Sequence, residues 1–147
     1  MIRWLHISDL HLNDGNFSSA RLRDELPSFL RNKRMKCDYV FCTGDIRSAN
    51  VCPNSFTEDM ADYMRNICHA VGVPIERLFI VPGNHDVNIF AEGREDAIKH
   101  IVPYDGYYKP DYGHIDTVDL EKLQSGKEDF VDFLSELYDT DQIGRAH

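Results

Sequence analysis

An α/β fold with a parallel sheet is predicted by three features of this 147-residue chain. Three short apolar runs occur at 2–7, 39–42 and 78–81, two longer segments between them repeat with helical periodicity, and each apolar run stops at a polar cluster. Such alternation favours parallel pairing through right-handed crossovers, with helices on the sheet faces and strands buried on both sides.

The elements follow in order. Ile2 to Ile7 reads as the first strand, apolar on both faces with His6 included. The polar stretch from Asn13 to Ser19, with Gly15, reads as a loop. Ser18 or Ser19 offers a helix cap, and Leu22, Leu26, Phe29 and Leu30 form one stripe of a helix reaching about Met35. Pro27 lies inside it, so the helix kinks or begins near that point. Tyr39-Val40-Phe41-Cys42 reads as a second, buried strand. Met60, Tyr63, Met64, Ile67 and Val71 mark a second helix, which Gly72 and Pro74 stop. Leu78-Phe79-Ile80-Val81 reads as the third strand. Beyond it, helical patterns near 92–101, 118–123 and 127–138 are joined by an aromatic loop holding Tyr104, Tyr107, Tyr108 and Tyr112. That loop is read as packing on its own domain or on a missing partner segment, with a substrate-facing role as the alternative.

Composition narrows the class. Apolar residues make up 42% and charged residues 28%, as in ordinary globular chains. No apolar run is long enough for a bilayer, and the N-terminus lacks a secretory pattern, so no membrane partner and a cytoplasmic location are expected. Cysteines at 37, 42, 52 and 68 form no C-x-x-C pair and are read as reduced, structural thiols. A formal net charge of −9 argues against a nucleic-acid partner, because a protein that binds phosphates must neutralise them.

The chemistry lies in the polar clusters: Ser8-Asp9-Leu10-His11, then Gly44-Asp45, then Gly83-Asn84-His85-Asp86. Ligands of open α/β sheets bind beyond the carboxyl ends of the strands, so these distant clusters are expected to converge. Carboxylate, imidazole and amide donors suit zinc, manganese or iron. On an extended segment Asp9 and His11 would point the same way. The two oxygens of Asp45 suit a bridge between paired cations. Gly44 and Gly83 relieve the steric limits of tight turns.

In order and spacing, D-x-H, G-D and G-N-H-D resemble the motifs of the calcineurin-like metallophosphoesterase superfamily, over about residues 2–88. The resemblance implies a layered metallophosphoesterase-type sheet with flanking helices, here the first βαβαβ half plus a helical C-terminal segment. Residues 1–90 would be the N-terminal half of the domain. Residues 91–147 would be a mainly helical continuation, truncated before the last metal-ligand motifs. It implies two divalent metal ions (manganese, iron or zinc), with Asp9 and His11 on the first, Asp45 bridging, and Asn84 on the second. His85 would not be a ligand but would sit by the scissile phosphate and assist leaving-group protonation. The implied reaction is hydrolysis of a phosphomonoester or phosphodiester substrate by a water activated between the ions.

The chain also departs from that pattern. Protein phosphatases of the superfamily read G-D-x-x-D-R-G, whereas Ser48 stands here at the later Asp, which argues against that branch and leaves the partner of His85 unassigned. Asp86 is read as shaping the turn. Gly113-His114-Ile115-Asp116 matches only half of the family's G-H-x-H motif, and His100 lies in a helical pattern, so both are read as structural or surface residues. A missing C-terminal segment is therefore expected to complete the site, and the chain alone is expected to bind metal weakly and to turn over slowly or not at all. Two other readings remain: a non-catalytic interaction subunit, against which the presence of His85 argues, and a DNA nuclease, which the acidic balance disfavours.

Overall fold

The computed structural model describes residues 1–12, 17–48, 56–88, 90–101 and 117–138. Among them are three strands, β1 (Trp4–Ile7), β2 (Tyr39–Cys42) and β3 (Leu78–Ile80). Five helices accompany them: α1 (Phe17–Asn32), α2 (Glu58–Val71), α3 (Arg94–Ile101), α4 (Thr117–Gln124) and α5 (Glu128–Tyr138). The strands form one parallel sheet in the order β1-β2-β3, with His6 opposite Phe41 and Phe41 opposite Phe79. This is the α/β architecture expected of the chain. No described helix is long and apolar enough to cross a membrane.

Strand alternation explains where the core sits. Val40, Cys42 and Leu78 point to one face and are buried there against Met64, Ile67 and Val71 of α2 and Leu30 of α1. Asp59 and Glu58 occupy the first turn of α2, where the helix dipole favours negative charge. Helix α5 adds Phe130, Phe133 and Leu137 to the same core. Tyr138 Oη donates to the Leu78 carbonyl at 2.8 Å, and the Arg65 guanidinium donates to the Glu136 carbonyl at 2.6 Å, so α5 is tied to both β3 and α2.

Two expectations are corrected here. The strands are not buried on both sides: Trp4, Phe41 and Phe79 are 62%, 37% and 49% exposed on the opposite face. Tyr39, Phe41 and Phe79 instead pack on one another there, with the Phe41 and Phe79 rings stacked at 5.4 Å. The stripe on α1 is also only partly used. Leu30 is buried, but Leu22 and Phe29 are exposed. The helix runs through Pro27 and ends at Asn32, earlier than expected. The aromatic loop at 104–112, Cys52 and the Gly113–Asp116 segment lie outside the described residues.

Burial sets the thiol chemistry. Desolvation pushes the Cys42 thiol up to about 11 and the Cys68 thiol up to about 12, from an ordinary 9.0. Both are therefore neutral thiols at physiological pH. Because the folded values are raised, this contribution to stability is fully present below pH 9.0 and is lost as pH climbs toward 11. In peptide mapping after labelling with a thiol reagent at pH 8, Cys42 and Cys68 will stay unmodified in the folded protein and react in urea. Rapid labelling of either in the folded state would contradict their packing.

Candidate metal centre

Pairing between β1 and β2 continues past the strand ends. Asp9 N donates to Gly44 O at 3.1 Å, His11 N to Asp45 O at 3.1 Å, and Leu12 N to Ile46 O at 2.8 Å. These two loops are thus held side by side by their own backbones. Leu10, Leu12 and Ile46 are buried and anchor the loops in the core, which turns the intervening polar residues outward.

The third loop closes against them with almost no clearance. A Cβ on Gly44 would stand 2.5 Å from Gly83 Cα, and one on Gly83 would stand 2.5 Å from Asp45 N, distances that real side chains do not show. Only glycine at both positions permits this backbone-to-backbone contact. Asp86 locks it. Its carboxylate is fully buried and accepts from the amides of Ile46 at 3.0 Å, Arg47 at 3.1 Å and Gly83 at 2.9 Å. Burial pushes the Asp86 carboxyl up from its ordinary value, and these amides pull it back. The expectation that Asp86 shapes the turn describes this contact.

The result is convergence of residues far apart in sequence. One donor atom each from His11, Asp45 and His85 lies within 4.8 Å of the others, and all three residues are half-buried. The His11 and His85 rings are 5.1 Å apart, and Asp45 Oδ1 is fixed by the His85 amide at 3.1 Å. Donors bound to one ion at ~2.0–2.2 Å with tetrahedral angles sit about 3.3–3.6 Å apart, so a cation would draw this triad inward from separations of up to 4.8 Å. Nδ1 of His85 is buried with no hydrogen-bond partner, an unmet donor or acceptor on one of the three clustered residues. Two imidazoles and a carboxylate suit zinc, manganese or iron, so the residues fit a divalent ion.

Backbone strain marks the same place. Among the described residues, the non-glycine positions with positive φ are Asp9 at 55°, His11 at 45°, Asp45 at 53° and Arg34 at 52°. Each costs about 1–2 kcal/mol over the right-handed region, and such outliers gather at functional sites. The expectation that Asp9 and His11 lie on an extended segment is thereby corrected. Loop pairing with Gly44 and Asp45 bends both residues into the left-handed region, so alternation of side chains does not apply.

The remaining candidates are placed as follows. Asp9 is exposed at the same edge, and its carboxylate accepts from the Ser8 hydroxyl. Asn84 is exposed on the third loop. His114 and Asp116 lie outside the described residues, as does the side chain of His100. A residue that gave no sequence signal is Arg47. It is 4% exposed, donates from Nε to the His85 carbonyl at 2.8 Å, and lies over the Phe56 ring at 4.6 Å. A buried arginine following Gly-Asp-Ile looks from sequence like any surface cation.

A parallel α/β sheet whose carboxyl edge gathers imidazole and carboxylate donors offers a candidate site for a divalent ion. The chain belongs to the calcineurin-like phosphoesterase family, whose model matches residues 2–145. It is similar to YydB of Bacillus subtilis (strain 168), described as an uncharacterized metallophosphoesterase-like protein. The two are 34% identical over 89 residues, which is 59% of this chain and 18% of that protein. The chain thus spans less than a fifth of that relative. No solved structure matches it.

Proposed function

We propose that this protein hydrolyses a phosphoester with two divalent metal ions at the carboxyl edge of the sheet. The observation that carries the reading is the approach of His11, Asp45 and His85 to within 4.8 Å. Family membership supports the same chemistry. Divalent ions held there supply Lewis acidity for the phosphoryl oxygens and lower the pKa of water.

The chain's own groups take three parts. His11 and Asp45 bind metal, with Asp9 and Asn84 supplying further donors from the flanking positions. Asp45 is held in place by the His85 amide, so its carboxylate is oriented before any ion arrives. His85 handles the proton of the leaving group. The four side chains His11, Asp45, Asp9 and Asn84 are fewer than two ions require, so donors beyond the described residues complete the coordination. A net charge of −9 favours a small phosphoester over a nucleic acid.

Turnover of bis(p-nitrophenyl) phosphate by the manganese-loaded protein tests this reading. His85→Ala should cut kcat by ~10²–10⁴-fold, the usual contribution of a positioned acid or base, with bound manganese unchanged. Asp45→Asn should lose both metal and turnover. Loss of manganese from His85→Ala would make His85 a ligand instead, and a wild-type protein that holds both ions tightly yet shows no turnover would favour an interaction subunit.

A further inference from the structure

We propose that Arg47 is a positioning residue that aims the His85 imidazole; this rests on the phosphoesterase reading above. The observation is one buried guanidinium with at least three different partners. Its Nε donates to the His85 carbonyl at 2.8 Å, its plane lies 4.6 Å from the Phe56 ring centre, and its NH1 is 3.7 Å from Asp129 Oδ2 on α5. The backbone amide of the same residue donates to Asp86 at 3.1 Å. Arg47 is therefore held from both its main chain and its side chain.

Those contacts fall at a useful place. Arg47 lies two residues after Asp45, so one side chain joins the Asp45 loop to the main chain of His85. The peptide groups on either side of His85 are then both fixed: its amide by Asp45 Oδ1 and its carbonyl by Arg47 Nε. With the backbone pinned on both sides of Cα, the imidazole has little freedom except about its own χ angles. Asp129 extends the tie to α5, whose Phe130 and Phe133 are buried in the core. Helix α5 contributes nothing to the donor triad, yet through Arg47 it braces the loop that carries His85.

The chemistry requires arginine. A charge buried this deeply needs partners on several sides, and only a planar guanidinium offers an Nε–H donor, an ion-pairing end and a flat face together. Lysine at this position could approach Asp129 but could not also stack on Phe56 and hold the His85 carbonyl.

The test compares wild-type, Arg47→Lys and Asp129→Asn proteins loaded with manganese for turnover of bis(p-nitrophenyl) phosphate. The His85 ring resonances are compared in parallel by histidine-selective 15N NMR of the proteins without paramagnetic metal. A misplacement of about 1 Å in a catalytic group costs on the order of 10²-fold. The expected result for Arg47→Lys is thus a fall in kcat of roughly ten- to a hundredfold. KM should stay within about twofold, manganese stoichiometry should be kept, and the His85 resonances should be displaced. Wild-type kcat with unmoved His85 resonances in Arg47→Lys would overturn the proposal and leave Arg47 a packing residue. Should Arg47→Lys fail to fold, Asp129→Asn decides: displaced His85 resonances support the brace and unmoved ones overturn it. If the wild-type protein turns over no phosphoester, the hydrolase reading fails, and the resonance comparison still decides the positioning claim because it needs no turnover.

Discussion

Gly83→Ala is expected to weaken manganese binding at least tenfold and to lower the melting temperature by several degrees. The added methyl would lie 2.5 Å from Asp45 N and 2.8 Å from Asp45 Cγ. No rotation of a flexible side chain relieves a contact with backbone, so one loop must retreat from the other. Overpacking of this kind costs about 1–3 kcal/mol, or roughly 3–10 °C in a domain of this size. The larger consequence falls on the site. The carboxylate that is displaced is the one that joins His11 and His85 in the donor triad. Disturbing a neighbour of a ligand commonly costs 10–100-fold in metal affinity, and here the ligand itself is pushed. Calorimetric titration with manganese alongside thermal melting measures both effects. An alanine variant that binds manganese as tightly as wild type would contradict the close apposition of the two loops.

Asp86→Ala is expected to be the most destabilising single change at the site. Three backbone amides, those of Ile46, Arg47 and Gly83, lose their acceptor together. An orphaned buried donor costs about 1–3 kcal/mol, so the loss should reach roughly 3 kcal/mol or more, against a typical total stability of ~5–15 kcal/mol. Asp86→Asn should fall in between. Its oxygen can still serve Ile46 and Arg47, but its NH2 then faces the amide of Gly83, donor against donor. Urea denaturation of the three proteins gives the ranking: wild type, then Asn, then Ala. A deficit for Asp86→Ala below about 1 kcal/mol would mean the amides find other acceptors.

Much of the fold was legible because it depends on local periodicity. The runs at Tyr39–Cys42 and Leu78–Ile80 are strands, and Met60, Met64, Ile67 and Val71 line the buried side of α2. What periodicity could not say is which apolar face finds a cover. Phe41 and Phe79 read as core but stack on each other in the open, and Leu22, on the same stripe as the buried Leu30, is exposed. Convergence of the three polar clusters followed from parallel topology alone, since every strand of such a sheet ends at the same edge. The left-handed backbone at Asp9, His11 and Asp45 did not follow. It arises from pairing between loops that are 35 residues apart in sequence, a tertiary effect with no local residue signal beyond Gly44 itself. Arg47 stayed hidden for the same reason. Its burial depends on Phe56, Asp129 and the His85 carbonyl, none of which its neighbours in sequence announce.

Diffraction from crystals grown with manganese, recorded on either side of the metal's absorption edge, most directly tests whether these loops form a metal centre. The structure described here predicts an anomalous peak in coordination reach of His11 and Asp45, beside His85. Density for manganese elsewhere on the molecule, with none between those side chains, would contradict it.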